Sequence, residues 1–277
     1  MLGACYAFAV TFYYSGDFET ARQHAMSGVE IWRSRSVQPF AEELIDPAAG
    51  CLMWGALSAW HLGETASCKT TMAKAIILAK KRNDMAGLGM ALYCSGLVAH
   101  FEGDPAEVER LASDLIEVCT HQAFASWLPG GVILRGWARS ISGNTAEGIS
   151  CIEDGIRDYQ ATGAILRLPY FLALKAEALH LADRSPEALE AIKAAEVLAE
   201  RSEGRWWYAE MHRLRGVFVA AMGADEAQIE ASFSKAISTA KRQKSVSLEK
   251  RAEATYAEYR RQKANASGGR EFRLPLC

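Results

Sequence analysis

The chain has 277 residues, 50% of them hydrophobic and 23% charged, with a formal net charge of -2. Such a composition belongs to a globular protein long enough for one large or two ordinary domains, and it excludes wholesale disorder. The balanced charge argues against a protein that coats nucleic acid generically, and 7 prolines beside abundant alanine predict an all-α chain.

In chain order, the first predicted element is an apolar helix over Leu2 to Tyr14. It is too short to span a bilayer, and no basic residue precedes Arg22, so it lacks the flank of a signal peptide. The expectation is a buried first helix in a cytoplasmic chain with no membrane partner. The seven cysteines, at 5, 51, 68, 94, 119, 151 and 277, form no CxxC pair and read as reduced, mostly buried thiols. No metal site and no cofactor are expected.

A punctuation then repeats along the chain. Gly16-Asp17 recurs as Gly63-Glu64, Gly103-Asp104, Gly143-Asn144 and Gly223-Ala224, at intervals of 47, 40, 40 and 80 residues. The missing beat falls at Asp183, before Ser185-Pro186. Each beat predicts a helical hairpin: glycine closes the first helix in a left-handed conformation, and Asp, Asn or Ser-Pro opens the second. Seven residues before the beat stand Ala9, Ala56, Gly96, Gly136 and Gly216, and five after it stand Ala21, Cys68, Val108 and Gly148. Mostly small residues at these offsets let two helix backbones approach, the logic of the tetratricopeptide repeat with a longer period. The predicted fold is an all-α, right-handed α-solenoid of about six helical hairpins over residues 1–244, with a capping helix over 245–264. Residues 265–277 read as a flexible tail, of which Glu271-Phe272 is what a common restriction site encodes in frame. The opening inside a helix without capping residues reads as a piece of something longer.

Several segments carry a more specific resemblance: Ile133-Leu-Arg-Gly-Trp-Ala138, Gly155-Ile-Arg-Asp-Tyr-Gln-Ala-Thr-Gly-Ala164, Pro169-Tyr-Phe-Leu-Ala-Leu174, Arg205-Trp-Trp-Tyr-Ala-Glu210 and His212-Arg-Leu-Arg-Gly216. With Ser247-Leu-Glu249 and Arg251-Ala252, they resemble the C-terminal tetratricopeptide-like region of bacterial predicted ATPases, and of adenylate cyclase- or winged-helix-linked transcriptional regulators. The resemblance implies a sensory or protein-binding arm of a signalling regulator, partnered by an NTPase module of a longer parent chain. It implies no catalytic residue in this segment.

Catalytic motifs are sparse. There is no Gly-Lys dipeptide for a P-loop, no GxSxG and no HExxH. His61, His100 and His180 each precede an acid near the end of a first helix, where a histidine complements the helix dipole. The pattern SxxK occurs at Ser232/Lys235, Ser238/Lys241 and Ser247/Lys250, and Ser232 with Lys235 is the pair for a serine-type hydrolase, the alternative function. The run 241–263 holds eight basic residues against three Glu. Without interleaved aromatics it reads as a solvated helix face and not as a nucleic-acid site.

Solenoids bind on their concave face, lined by the first helix of each hairpin. The 40-residue frame places Tyr13, Trp60, Tyr93, His100 and Trp137 there as an aromatic groove, followed by a more polar stretch of Tyr170, Glu177, His180, Glu210 and Arg213. Such a groove suits a peptide or an amphipathic small molecule, so the predicted function is a non-catalytic scaffold with a protein or peptide partner, or a small-molecule sensor. Trp206 and Trp207 are adjacent, so on one helix they would point about 100° apart, one packed and one near the surface.

Overall fold

The structure, a computed structural model, describes residues 1–35, 45–122, 124, 127–265, 272 and 274–276. Among them there are thirteen helices and no strand. Twelve pair as hairpins: α1 Leu2–Ser15 with α2 Phe18–Arg35, α3 Pro47–His61 with α4 Thr65–Arg82, and α5 Met85–Phe101 with α6 Pro105–Gln122. Then come α7 Leu128–Ile141 with α8 Thr145–Ala161, α9 Leu168–Leu181 with α10 Ser185–Arg201, and α11 Tyr208–Ala221 with α12 Glu226–Arg242. Helix α13, Val246–Asn265, follows as a single element. This is the expected α-solenoid.

The turns are those the punctuation predicts. Gly16, Gly63, Gly103, Gly143 and Gly223 all have positive φ, and Asp183 takes the same conformation at φ 59, which fills the missing beat. The side chains of Asp17, Asp104 and Asp225 accept from backbone N–H groups three residues on, at 3.0–3.1 Å, and so satisfy donors that each following helix leaves open. Pro47, Pro105, Pro129, Pro169 and Pro186 sit in first turns, where a missing N–H costs nothing.

Close backbone approach explains the small residues. A Cβ on Gly148 would lie 2.4 Å from the Gly136 carbonyl oxygen and 2.1 Å from Ser140 Oγ, so α7 and α8 cross backbone to backbone. A Gly148→Ala chain is therefore expected to lose about 1–3 kcal/mol, because the blocking atoms include main chain that cannot rotate away. Chemical denaturation would check this, and an unchanged midpoint would contradict the close crossing.

Every residue of α3 except Gly55 is buried, as is every residue of α5 except Met85. Helices apolar all round are enclosed helices, and these two lie between outer helices and an inner filling. The filling exists because the stack coils back on itself. Helix α13 packs against α3, and the Val246 side chain rests 3.1 Å from where a Cβ on Gly63 would stand. His61 Nδ1 lies 3.0 Å from Ser245 Oγ, Ser247 donates to the Trp60 carbonyl, and Lys244 pairs with Glu19. Helix α1 also reaches late repeats: the Trp206 N–H donates to the Tyr14 carbonyl at 3.2 Å.

Trp206 and Trp207 differ from the sequence expectation. Both are buried, at 2% and 0% exposure, with ring centroids 5.2 Å apart. They precede the first residue of α11, so the helical 100° step does not apply to them, and the connecting turn sends both rings inward.

Candidate functional site

The interior carries three arrangements of side chains, drawn mainly from the first helices of the hairpins and from α13. The first is an aromatic plug. Phe18 stacks on His61 with centroids 3.7 Å apart and planes 4° apart, and Phe101 stacks on Trp207 at 4.7 Å. Tyr13 places its hydroxyl 3.4 Å from His61 Nε2. Burial, with the nearby Arg251 charge adding to it, holds the His61 pKa well below its ordinary value, so the ring is neutral. Trp60 donates its indole N–H to Glu102 at 2.6 Å, with the Arg251 guanidinium 5.6 Å over its ring.

The second is a polar chain across α5, α7 and α9. Trp137 Nε1 donates to Glu177 Oε2 at 2.9 Å, Glu177 Oε1 stands 3.6 Å from His100 Nε2, and His100 Nδ1 lies 3.0 Å from the Tyr170 hydroxyl. All four residues are at most 3% exposed, so each buried polar group here meets a partner inside the protein. His180 does not join them: it lies 2.9 Å from Ser185 Oγ and packs on Phe218.

The third lies between α11 and α13. Glu210 accepts from Arg213 Nε at 3.0 Å and Nη2 at 2.8 Å, and from Arg251 Nη1 at 3.0 Å. Burial alone would raise the Glu210 carboxyl, but the two guanidiniums outweigh it and hold the pKa at about 2. Arg213 also donates to Thr255 Oγ1 at 3.2 Å and to the main-chain carbonyls of Pro275, at 3.0 Å, and Leu276. The segment Leu274–Leu276 is thus held by its backbone, with Leu274 at 7% and Leu276 at 9% exposure. Phe272 rests 4.9 Å from the Tyr259 ring.

The ten groove positions read from the sequence thus separate. Tyr13 and Trp60 belong to the plug, His100, Trp137, Tyr170 and Glu177 to the polar chain, and Glu210 and Arg213 to the buried ion pair beside α13, while His180 sits apart. Tyr93 is buried with its hydroxyl unpaired among the described residues. Most of these rings pack on one another and do not line an open trough, because the superhelix has closed over them.

Ser232 donates its hydroxyl to the Gln228 carbonyl of its own helix at 2.9 Å, while Lys235 is exposed. Among the described residues no group of three or more His, Cys, Asp or Glu could hold a metal ion, and no helix is long and apolar enough to cross a membrane. Burial pushes the Cys51, Cys68 and Cys94 thiols up to about 12.

One half-buried cation was not singled out from the sequence. Arg167, just before α9, donates from Nε to the Tyr14 hydroxyl at 3.1 Å, and its guanidinium sits 4.2 Å from the Trp127 ring centroid and 4.8 Å from that of Tyr93. The signal was present: from Tyr159 to Ala176 there is no acidic residue, so this arginine stands in an apolar run with no local counter-ion.

These features define a tetratricopeptide-like α-solenoid whose inner face is filled and whose late repeats hold the segment Leu274–Leu276. No family model matches the chain. An uncharacterized protein of Rhizobium meliloti (strain 1021) is 23% identical over 197 residues, which is 71% of this chain and 19% of that protein, so the chain spans about a fifth of the relative's length. Among solved structures, the Rap conjugation gene regulator of the plasmid pLS20, in complex with the Phr* peptide, matches with a TM-score of 0.65 at 11% identity, over 96% of this chain and 75% of that one. PlcR of Bacillus thuringiensis, in complex with the peptide PapR7 and DNA, matches with a TM-score of 0.55 at 14% identity, over 82% of this chain and 88% of that one. Both likenesses concern the fold.

Proposed function

We propose that this chain is a non-catalytic scaffold that takes a short extended peptide on the inner face of its late repeats, as one arm of a longer signalling regulator. The observation that carries the reading is the capture of Leu274–Leu276 by Arg213, which bonds two peptide carbonyls while Leu274 and Leu276 are buried. A segment outside the repeat pattern is thereby gripped through its backbone, with the Leu274 and Leu276 side chains supplying apolar contact. Arg213 is preorganised for this by Glu210, which fixes the guanidinium plane through two of its nitrogens. Two peptide complexes among the structures of like fold support the reading, and the far greater length of the Rhizobium relative supports a place in a larger protein, such as beside an NTPase module.

The test uses the full chain carrying Leu274→Ser and Leu276→Ser, which weakens the hold on its own segment. A fluorescently labelled peptide of residues 272–276, Phe-Arg-Leu-Pro-Leu, should bind saturably to it and more weakly to the unaltered chain, whose site is filled. Adding Arg213→Gln should weaken binding by about tenfold or more, the worth of charge-assisted hydrogen bonds. Absence of saturable binding, or indifference to Arg213→Gln in a chain that remains helical, would overturn the proposal.

A further inference from the structure

A second cavity, of about 350 Å³, lies where α1 crosses the connection between α8 and α9. Tyr6, Tyr14, Trp54, Trp127 and Tyr159 are among its walls; among the described residues Arg167 is the cation that lines it, and no acidic side chain does. The size is within the range of small-ligand pockets, and an apolar wall with one placed polar group is their usual make-up.

The chemistry around Arg167 is incomplete. A guanidinium carries five N–H donors. In this protein the Nε donor goes to Tyr14, two aromatic faces cover the plane, and among the described residues no carboxylate pairs with it. Contrast Arg213 and Arg251, which share Glu210, and Arg82, which meets Asp46. Stacking on aromatic faces leaves the outer edge of a guanidinium available, and that edge matches a carboxylate bidentately. Tyr93, whose ring lies against the Arg167 guanidinium, is buried behind the cavity wall.

We infer that this cavity binds a monoanionic carboxylate attached to an apolar body, with Arg167 taking the carboxylate and the aromatic walls enclosing the rest. Among the described residues one cation and no second basic group line the cavity, which suits a single negative charge and not a doubly charged phosphate. The carboxylate could belong to a free aromatic acid or to the C-terminal residue of a peptide, which share this chemistry. The site is separate from the Arg213 segment and does not depend on it.

The full chain would be titrated calorimetrically with 3-phenylpropionate, with N-acetyl-Gly-Gly-Phe bearing a free carboxylate, and with the amide of each. Each acid that binds should do so about tenfold or more tightly than its amide, and Arg167→Gln should remove that preference. Tyr14→Phe, which deletes only the hydroxyl that orients Arg167, should weaken the acids and leave the amides unchanged. Tighter binding of the tripeptide would assign the site to peptide ends, and tighter binding of phenylpropionate to small organic acids. Equal binding of acid and amide, no binding of any probe at millimolar concentration, or an unchanged preference in Arg167→Gln would overturn the inference. The acid-amide comparison needs no variant, so it decides the matter even if Arg167→Gln fails to fold. The acid-amide preference is read at Arg167 and the peptide proposal at Arg213, so failure of one is distinguishable from failure of the other.

Discussion

Replacing Glu210 with glutamine is expected to cost about 3–5 kcal/mol, because the substitution keeps the shape and leaves two guanidiniums facing each other without their shared anion. Glu210 is 2% exposed and Arg213 1%, so water cannot take over the lost role. The acid limb of the stability curve gives an independent measure. The folded pKa of about 2 lies below the ordinary 4.5, so protons bind preferentially to the unfolded chain. The stabilisation from this carboxylate is complete above about pH 4.5 and is lost as pH falls from there towards 2, a contribution of about 3 kcal/mol. Denaturant midpoints of the unaltered and Glu210→Gln chains should differ strongly at pH 7, differ less at pH 3 and converge only towards pH 2. A gap of the same size at both pH values would show that the charge is not what Glu210 supplies.

Trp206→Ala should cost about as much, about 3–5 kcal/mol, but through a different route. The Trp206 ring meets Tyr13 at 5.4 Å, Tyr170 at 5.1 Å and Phe101 at 6.1 Å, and so joins α1, α5 and α9 at one point. An open solenoid is stabilised by neighbours alone, and its ends fray independently. Removing this ring should return the molecule towards that limit. Hydrogen exchange would then show α1 and α2 losing protection well before α7 and α8, whereas Ile152→Ala, confined to the α7–α8 seam, should not produce that asymmetry. Uniform loss of protection in Trp206→Ala would mean that closure does not couple the ends.

The hairpins were legible in the sequence because each one is a local event. A glycine that must adopt positive φ, and a small residue where two backbones cross, leave marks at fixed spacing, as at Gly136, Gly143 and Gly148. Trp137, Tyr170 and Arg213, three of the positions taken from the frame, are buried. What surrounds them was not legible. Whether a superhelix stays open depends on small rotations summed over every repeat, and no residue near Tyr13 announces Trp206 as its neighbour. Arg167 was missed for a related reason: it lies in a connection outside the repeat frame, and its partners Tyr14 and Trp127 come from other hairpins.

The return of α13 onto α3 has a consequence for biosynthesis. Ser245 meets His61 across 184 positions of sequence, Ser247 meets Trp60 across 187, and Lys244 meets Glu19 across 225. A ribosome delivers the chain from its amino end, at roughly 5–20 residues per second. For roughly ten seconds or more at such rates, the early hairpins therefore wait with the Tyr13, His61 and Phe101 rings facing an unfilled interior. That nascent surface is apolar and adhesive, and a chaperone that shields aromatic side chains would be needed most while residues 62–205 are being made.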